Sequence, residues 1–181
     1  MKIKLNKACL SLFICGALSA GSAYSASDNT INFQGEVSDE TCSVTVNGNA
    51  ASPVVLMPTV SKSDLTTSGA TAGLTAFTVG LSGCTGDSTA STKISTVFIG
   101  NNVSSSGNLI NSGTAQNVEV QLLDTKDAVI DLTSGFNGSG DLTLELGATE
   151  TSADYSAQYY STGGTTAGTV AASLQYAVTY Q

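Results

Sequence analysis

The stretch "SLQYAVTYQ", residues 173–181, closes the sequence and decides how the rest is read. Leu174, Tyr176, Val178 and Tyr180 alternate with Gln175, Ala177, Thr179 and Gln181, the two-residue period of a β-strand with one apolar face. A strand of this kind inside a sandwich takes a partner along each edge. An edge left open is a template for another chain. No later segment of this sequence supplies a second partner, so residues 173–181 are expected to be an acceptor edge.

Working back toward the start, nearly every segment has the same character. Strands are predicted at "TINFQGEV" (30–37), "CSVTV" (42–46), "VVLM" (54–57), "LTAFTVGL" (74–81), "KISTVFIG" (93–100), "NVEVQLL" (117–123), "DLTLEL" (141–146) and "YSAQYY" (155–160). Each is short and bounded by Gly, Ser, Asn, Asp or Thr clusters, and their number and spacing predict an all-β, immunoglobulin-like Greek-key β-sandwich. Only "TVSKSDLTTSG" (59–69) has room for a helical turn.

The first residues belong to a different class. Lys2, Lys4 and Lys7 precede an apolar run from Ala8 to Ala20, and small residues follow, the pattern of a secretory signal peptide over 1–25 with cleavage between 23 and 26. That run is too short for a transmembrane helix, so no membrane insertion is expected. Removing the signal leaves three lysines against fourteen acidic residues, a net charge of −11, and the chain has no arginine. A phosphate backbone needs cations to displace its counterions, so nucleic acid is excluded as a partner. Cys42 and Cys84 are the only cysteines outside the signal. In an exported chain they are expected to form one disulfide, closing a loop of about 43 residues worth about 4 kcal/mol in the chain-entropy model.

The residue types that carry catalysis are scarce. The sequence contains no histidine, so Ser-His and Cys-His nucleophile pairs cannot be built and metal ligation loses its commonest donor. Asp124, Asp127 and Asp131 in "DTKDAVID" lack the spacing and turn glycine of a calcium loop and read as a solvated hairpin end. Tyr155, Tyr159 and Tyr160 are the best aromatic platform for a sugar, but strand alternation puts Tyr155 and Tyr159 on one face and Tyr160 on the other. No enzyme activity and no cofactor are expected.

Taken in order, the segments "INFQGEVSDETC", "VGLSGC", "NVEVQLLD" and the ending with its penultimate tyrosine resemble the chaperone–usher pilin family, close to the major shaft subunits of type 1-like fimbriae. The resemblance implies an incomplete sandwich whose final strand is supplied in trans. A groove would then run beside the C-terminal strand, with Leu174, Tyr176, Val178 and Tyr180 as its acceptor and chaperone-binding face. A periplasmic chaperone fills such a groove first; at an outer-membrane usher the N-terminal extension of the next subunit replaces it, a form of β-augmentation. Residues 26–37 fit that extension and 38–181 the pilin domain, with Asn29, Ile31, Phe33, Gly35 and Val37 facing inward. An inward glycine is a packing defect in an ordinary strand but suits a shallow groove position. The expected function is thus a polymerising subunit of a surface fimbria that supports cell adhesion, with other pilin subunits as partners. The alternative is a minor fimbrial adaptor or adhesin binding a host glycan.

Overall fold

A computed structural model describes residues 42–85 and 89–181, all within one compact unit, Glu36–Gln181. The predicted signal peptide and the strand predicted at 30–37 lie outside the described residues. Among the described residues there are nine strands: β1 (Ser43–Val46), β2 (Thr71–Ser82), β3 (Thr92–Gly100), β4 (Leu109–Ile110), β5 (Val118–Leu123), β6 (Phe136–Asn137), β7 (Leu142–Leu144), β8 (Glu150–Ser161) and β9 (Leu174–Tyr180). One sheet has the order β1-β2-β8-β5-β4. In the other, β6 and β7 take successive stretches of one edge of β3 while β9 pairs with β3 along Ile94–Gly100, all antiparallel.

Alternation sets which residues meet between the sheets. Phe77, Val79 and Leu81 from β2, Ile94 and Phe98 from β3, Val120 and Leu122 from β5, Leu142 and Leu144 from β7, and Ala153, Tyr155 and Ala157 from β8 make one buried cluster. At its centre the Tyr155 ring lies 5.8 Å from Phe77, nearly parallel, and 5.0 Å from Phe98 in an edge-on arrangement. Such pairs add about 0.5–1.5 kcal/mol beyond burial. A smaller cluster, Leu65, Ala115 and Val118, is capped by a 3-10 turn, Lys62–Leu65, the helical turn anticipated between 59 and 69.

Two expectations need correction. Residues 54–57 were expected to be a strand, yet they run extended without ladder pairing. Pro53 and Pro58 bracket the segment and lack the N–H a ladder requires. The strand predicted at 155–160 extends over twelve residues, because β2 pairs with it from Glu150 to Tyr160 while β5 pairs with residues 156–161 on its other edge. The hairpin end at 124–131 is as expected: the Asp124 carboxylate accepts the backbone N–H groups of Lys126 and Ala128, each at 2.8 Å.

Cys42 and Cys84 are joined by a disulfide, with Cα atoms 4.2 Å apart. It ties the start of β1 to the end of β2. Cys42→Ser or Cys84→Ser is expected to cost about 2–5 kcal/mol and to lower the amount of folded subunit, as loss of a disulfide from a small exported domain does. Free-thiol labelling of the wild-type protein checks the premise: two reactive cysteines would refute it.

Candidate functional site: an open groove beside the last strand

The segment 52–57 and the last strand face each other across a gap. After Val46 the chain turns at Asn47 and Gly48, both with positive φ, and the backbones of Val46 and Asn49 bond to each other in both directions at 3.0 Å. It then runs extended from Pro53. Val55 and Met57 turn half-buried toward the core, while Val54 and Leu56 point away and are 70% and 84% exposed. Among the described residues no backbone group of 53–57 has a backbone partner, and no strand other than β3 pairs with β9.

Between these two stretches lies a groove of about 860 Å³, with Phe77, Phe98, Leu109, Val120, Leu122 and Ala157 among its lining residues. One wall is Ser52–Met57 and the other Val170–Tyr176. At the Val170 end, Ser112 N–H donates to the Ala171 carbonyl at 2.8 Å and Ala115 N–H to the Thr169 carbonyl at 3.0 Å. Glycine at 113 and 168 makes that approach possible, since a Cβ at either position would collide with the opposing backbone. At the other end the Tyr180 hydroxyl accepts the Cys42 N–H at 3.1 Å.

Of the four residues expected to form the acceptor face, Leu174 and Tyr176 line the groove. Val178 and Tyr180 pack half-buried against the same core beyond it. The expected donor residues Asn29, Ile31, Phe33, Gly35 and Val37 lie outside the described residues. Sequence reading missed the opposite wall. Its only signal was the apolar "VVLM" between two prolines, which reads equally as a paired strand.

The groove floor rests on one ionisable pair. The Tyr155 hydroxyl donates to the Asp141 carboxylate, which also accepts the Thr96 N–H at 3.0 Å, in the interval where β3 passes from β7 to β6. Burial pushes the Asp141 carboxyl above its ordinary value, opposed by the Thr96 N–H. The folded state then binds a proton more readily than the unfolded one, so Asp141's contribution to stability rises as pH falls through its raised value and levels off below the ordinary one. Asp131 shifts the other way, held down by the Thr133 N–H and hydroxyl, so its contribution is lost only at more acid pH. Asp141→Asn is expected to abolish the mildly acid-favoured part of the denaturant midpoint profile. The Asn amide keeps its carbonyl oxygen for the Thr96 N–H and turns its NH2 toward the Tyr155 hydroxyl, which then accepts, so about 1 kcal/mol should be lost as bonds to a carboxylate become bonds between neutral groups. An unchanged pH profile would contradict this assignment.

An apolar floor flanked by the extended segment 53–57, without a backbone partner among the described residues, and by a strand that pairs along one edge only fits an extended peptide rather than a reacting small molecule. Among the described residues no three His, Cys, Asp or Glu side chains converge as metal ligands. A family model described as "Fimbrial protein" matches residues 31–181. The chain belongs to the fimbrial protein family. This fimbrial subunit is 35% identical over 177 residues to the F17 fimbrial protein of Escherichia coli, covering 93% of this chain and 97% of that one. It is 34% identical over 167 residues to the major fimbrial subunit SMF-1 of Stenotrophomonas maltophilia, covering 87% and 95%. Among solved structures, the P pilus rod subunit PapA superposes with a TM-score of 0.55 at 20% identity, covering 77% of this chain and 99% of that one. That likeness supports the immunoglobulin-like pilin fold. The subunit is of the chaperone–usher type and is structural, as its relatives are, not an enzyme.

Proposed function

We propose that the groove receives a strand from another molecule and that the subunit polymerises through it as the shaft of a surface fimbria supporting cell adhesion. The observation that carries this reading is an apolar floor between 53–57, which has no backbone partner among the described residues, and β9, which among them pairs only with β3 and only along one edge. A strand laid between them gains ladder bonds and covers the half-exposed faces of Leu174, Tyr176, Val55 and Met57. Apolar burial contributes roughly 25 cal/mol per Å².

The occupant in the fibre is the segment 26–37 of the next copy, with Asn29, Ile31, Phe33, Gly35 and Val37 inward. Before assembly it is a strand of a periplasmic chaperone, exchanged at an outer-membrane usher. On this reading residues 1–25 are removed on export through the periplasm, and 38–181 form the domain. Purified fibres should run as ladders resistant to SDS at room temperature and collapse to a single subunit after full denaturation. Deleting Ser27 to Phe33 should remove the ladder. A ladder that survives the deletion refutes the assignment of the donor strand.

A further inference from the structure

Filling the groove leaves one apolar face of its wall uncovered. Val55 and Met57 face inward, so a strand in the groove reaches them, but Val54 and Leu56 point the other way at 70% and 84% exposure. Scattered exposed apolar residues are ordinary. These two stand two residues apart on the lip of the groove, inside 43–61, a stretch without a charged residue. The chain beyond its signal carries a net charge of −11, three lysines against fourteen acids, so copies of it repel. They approach with least opposition where charge is absent.

Chain length identifies the neighbour at this lip, given the strand-exchange reading on which the inference rests. Only residues 38–41 separate the donor segment from Cys42. Five residue steps extend to at most about 18 Å. The disulfide-bearing end of the donor copy is therefore held within about 18 Å of the filled groove. That end presents Leu146, 60% exposed, in a turn closed by Ala148 N–H to the Glu145 carbonyl at 2.9 Å. The turn leads directly to Thr149, whose carbonyl takes the Cys84 N–H at 3.0 Å.

We propose that Val54 and Leu56 form a second contact between consecutive copies, receiving the Leu146 turn of the copy whose strand fills the groove. The contact is heterologous, head to tail. Strand capture holds the two copies together, so the lip contact forms at high effective concentration and sets the angle between them.

Fibres carrying Leu56→Cys and Leu146→Cys together test this with a short bis-maleimide. Cross-linked multimers should become the main product after full denaturation, and neither single variant should give them. In parallel, Leu56→Ser should lower the temperature at which the SDS-resistant ladder dissociates by several degrees, and adding Leu146→Ser should lower it little further, as expected for two residues in one contact. Wild-type-like ladders without 56–146 cross-links, cross-links in either single variant, cross-linking of position 56 to the chaperone alone, or additive losses in the serine pair would each overturn the contact. Absence of ladders in the wild type would instead overturn strand exchange and this inference with it.

Discussion

Deleting Val178 to Gln181 is expected to abolish the chaperone complex and leave the subunit to be degraded. The deletion removes the pairing of Tyr180, Thr179 and Val178 with Ile94, Ser95 and Thr96 on β3. It also removes the Gln181 N–H bond to the Lys93 carbonyl at 2.8 Å, the Gln181 side-chain bond to Ser95 at 2.7 Å, and the Tyr180 hydroxyl that accepts from Cys42. Ile94, fully buried in the intact domain, loses Tyr180 and keeps only Leu142 as a cross-strand partner. Exposing a side chain of that size costs about 1.5–3 kcal/mol. Unpaired backbone adds to this loss, against a typical total stability of only about 5–15 kcal/mol. Half of the expected acceptor face, Val178 and Tyr180, disappears as well, and Leu174 and Tyr176 are left on a shortened strand. Co-purification with the chaperone is the measurement. A stable, soluble, chaperone-free monomer from the truncated chain would refute the incomplete-sandwich reading.

Gly35→Leu is expected to separate folding from assembly. If 29–37 were a strand of its own domain, the added side chain would overpack a core, at about 1–3 kcal/mol, and subunit levels would fall. As a donor for a neighbour, the segment does not contribute that side chain to the monomer's fold, so the chaperone-bound subunit should accumulate normally. Fibres should be absent, because on the donor reading the inward-facing position 35 carries no side chain and a leucine cannot enter it. Chaperone co-purification and electron microscopy of the cell surface read the two halves of the result. Loss of the chaperone complex, or normal fibres, would remove 29–37 from the donor role.

Sequence alone determined what depends on local period and on counting. Alternation placed β2, β3, β5, β7 and β9 close to where they lie, because a strand with one buried face must repeat every two residues wherever its partner is. Two cysteines outside the expected signal left one pairing, and the bond joins Cys42 to Cys84. Missing histidine and arginine set aside whole classes of chemistry before any fold was known. Tertiary structure alone decided which extended segments find partners. Residues 54–57 and 174–180 both read as strands, the first as an apolar run and the second by alternation, yet only the second is paired, since pairing depends on distant β3 and on the prolines that bracket the first. The two-residue strands β4 and β6 gave no periodic signal, being shorter than the repeat needs to declare itself. Asp141 under Tyr155 was equally hidden, fourteen positions apart in sequence and joined only because β7 and β8 meet on the core. The groove belongs to this second group: its walls come from opposite ends of the domain, and the space between them exists only once both sheets have formed.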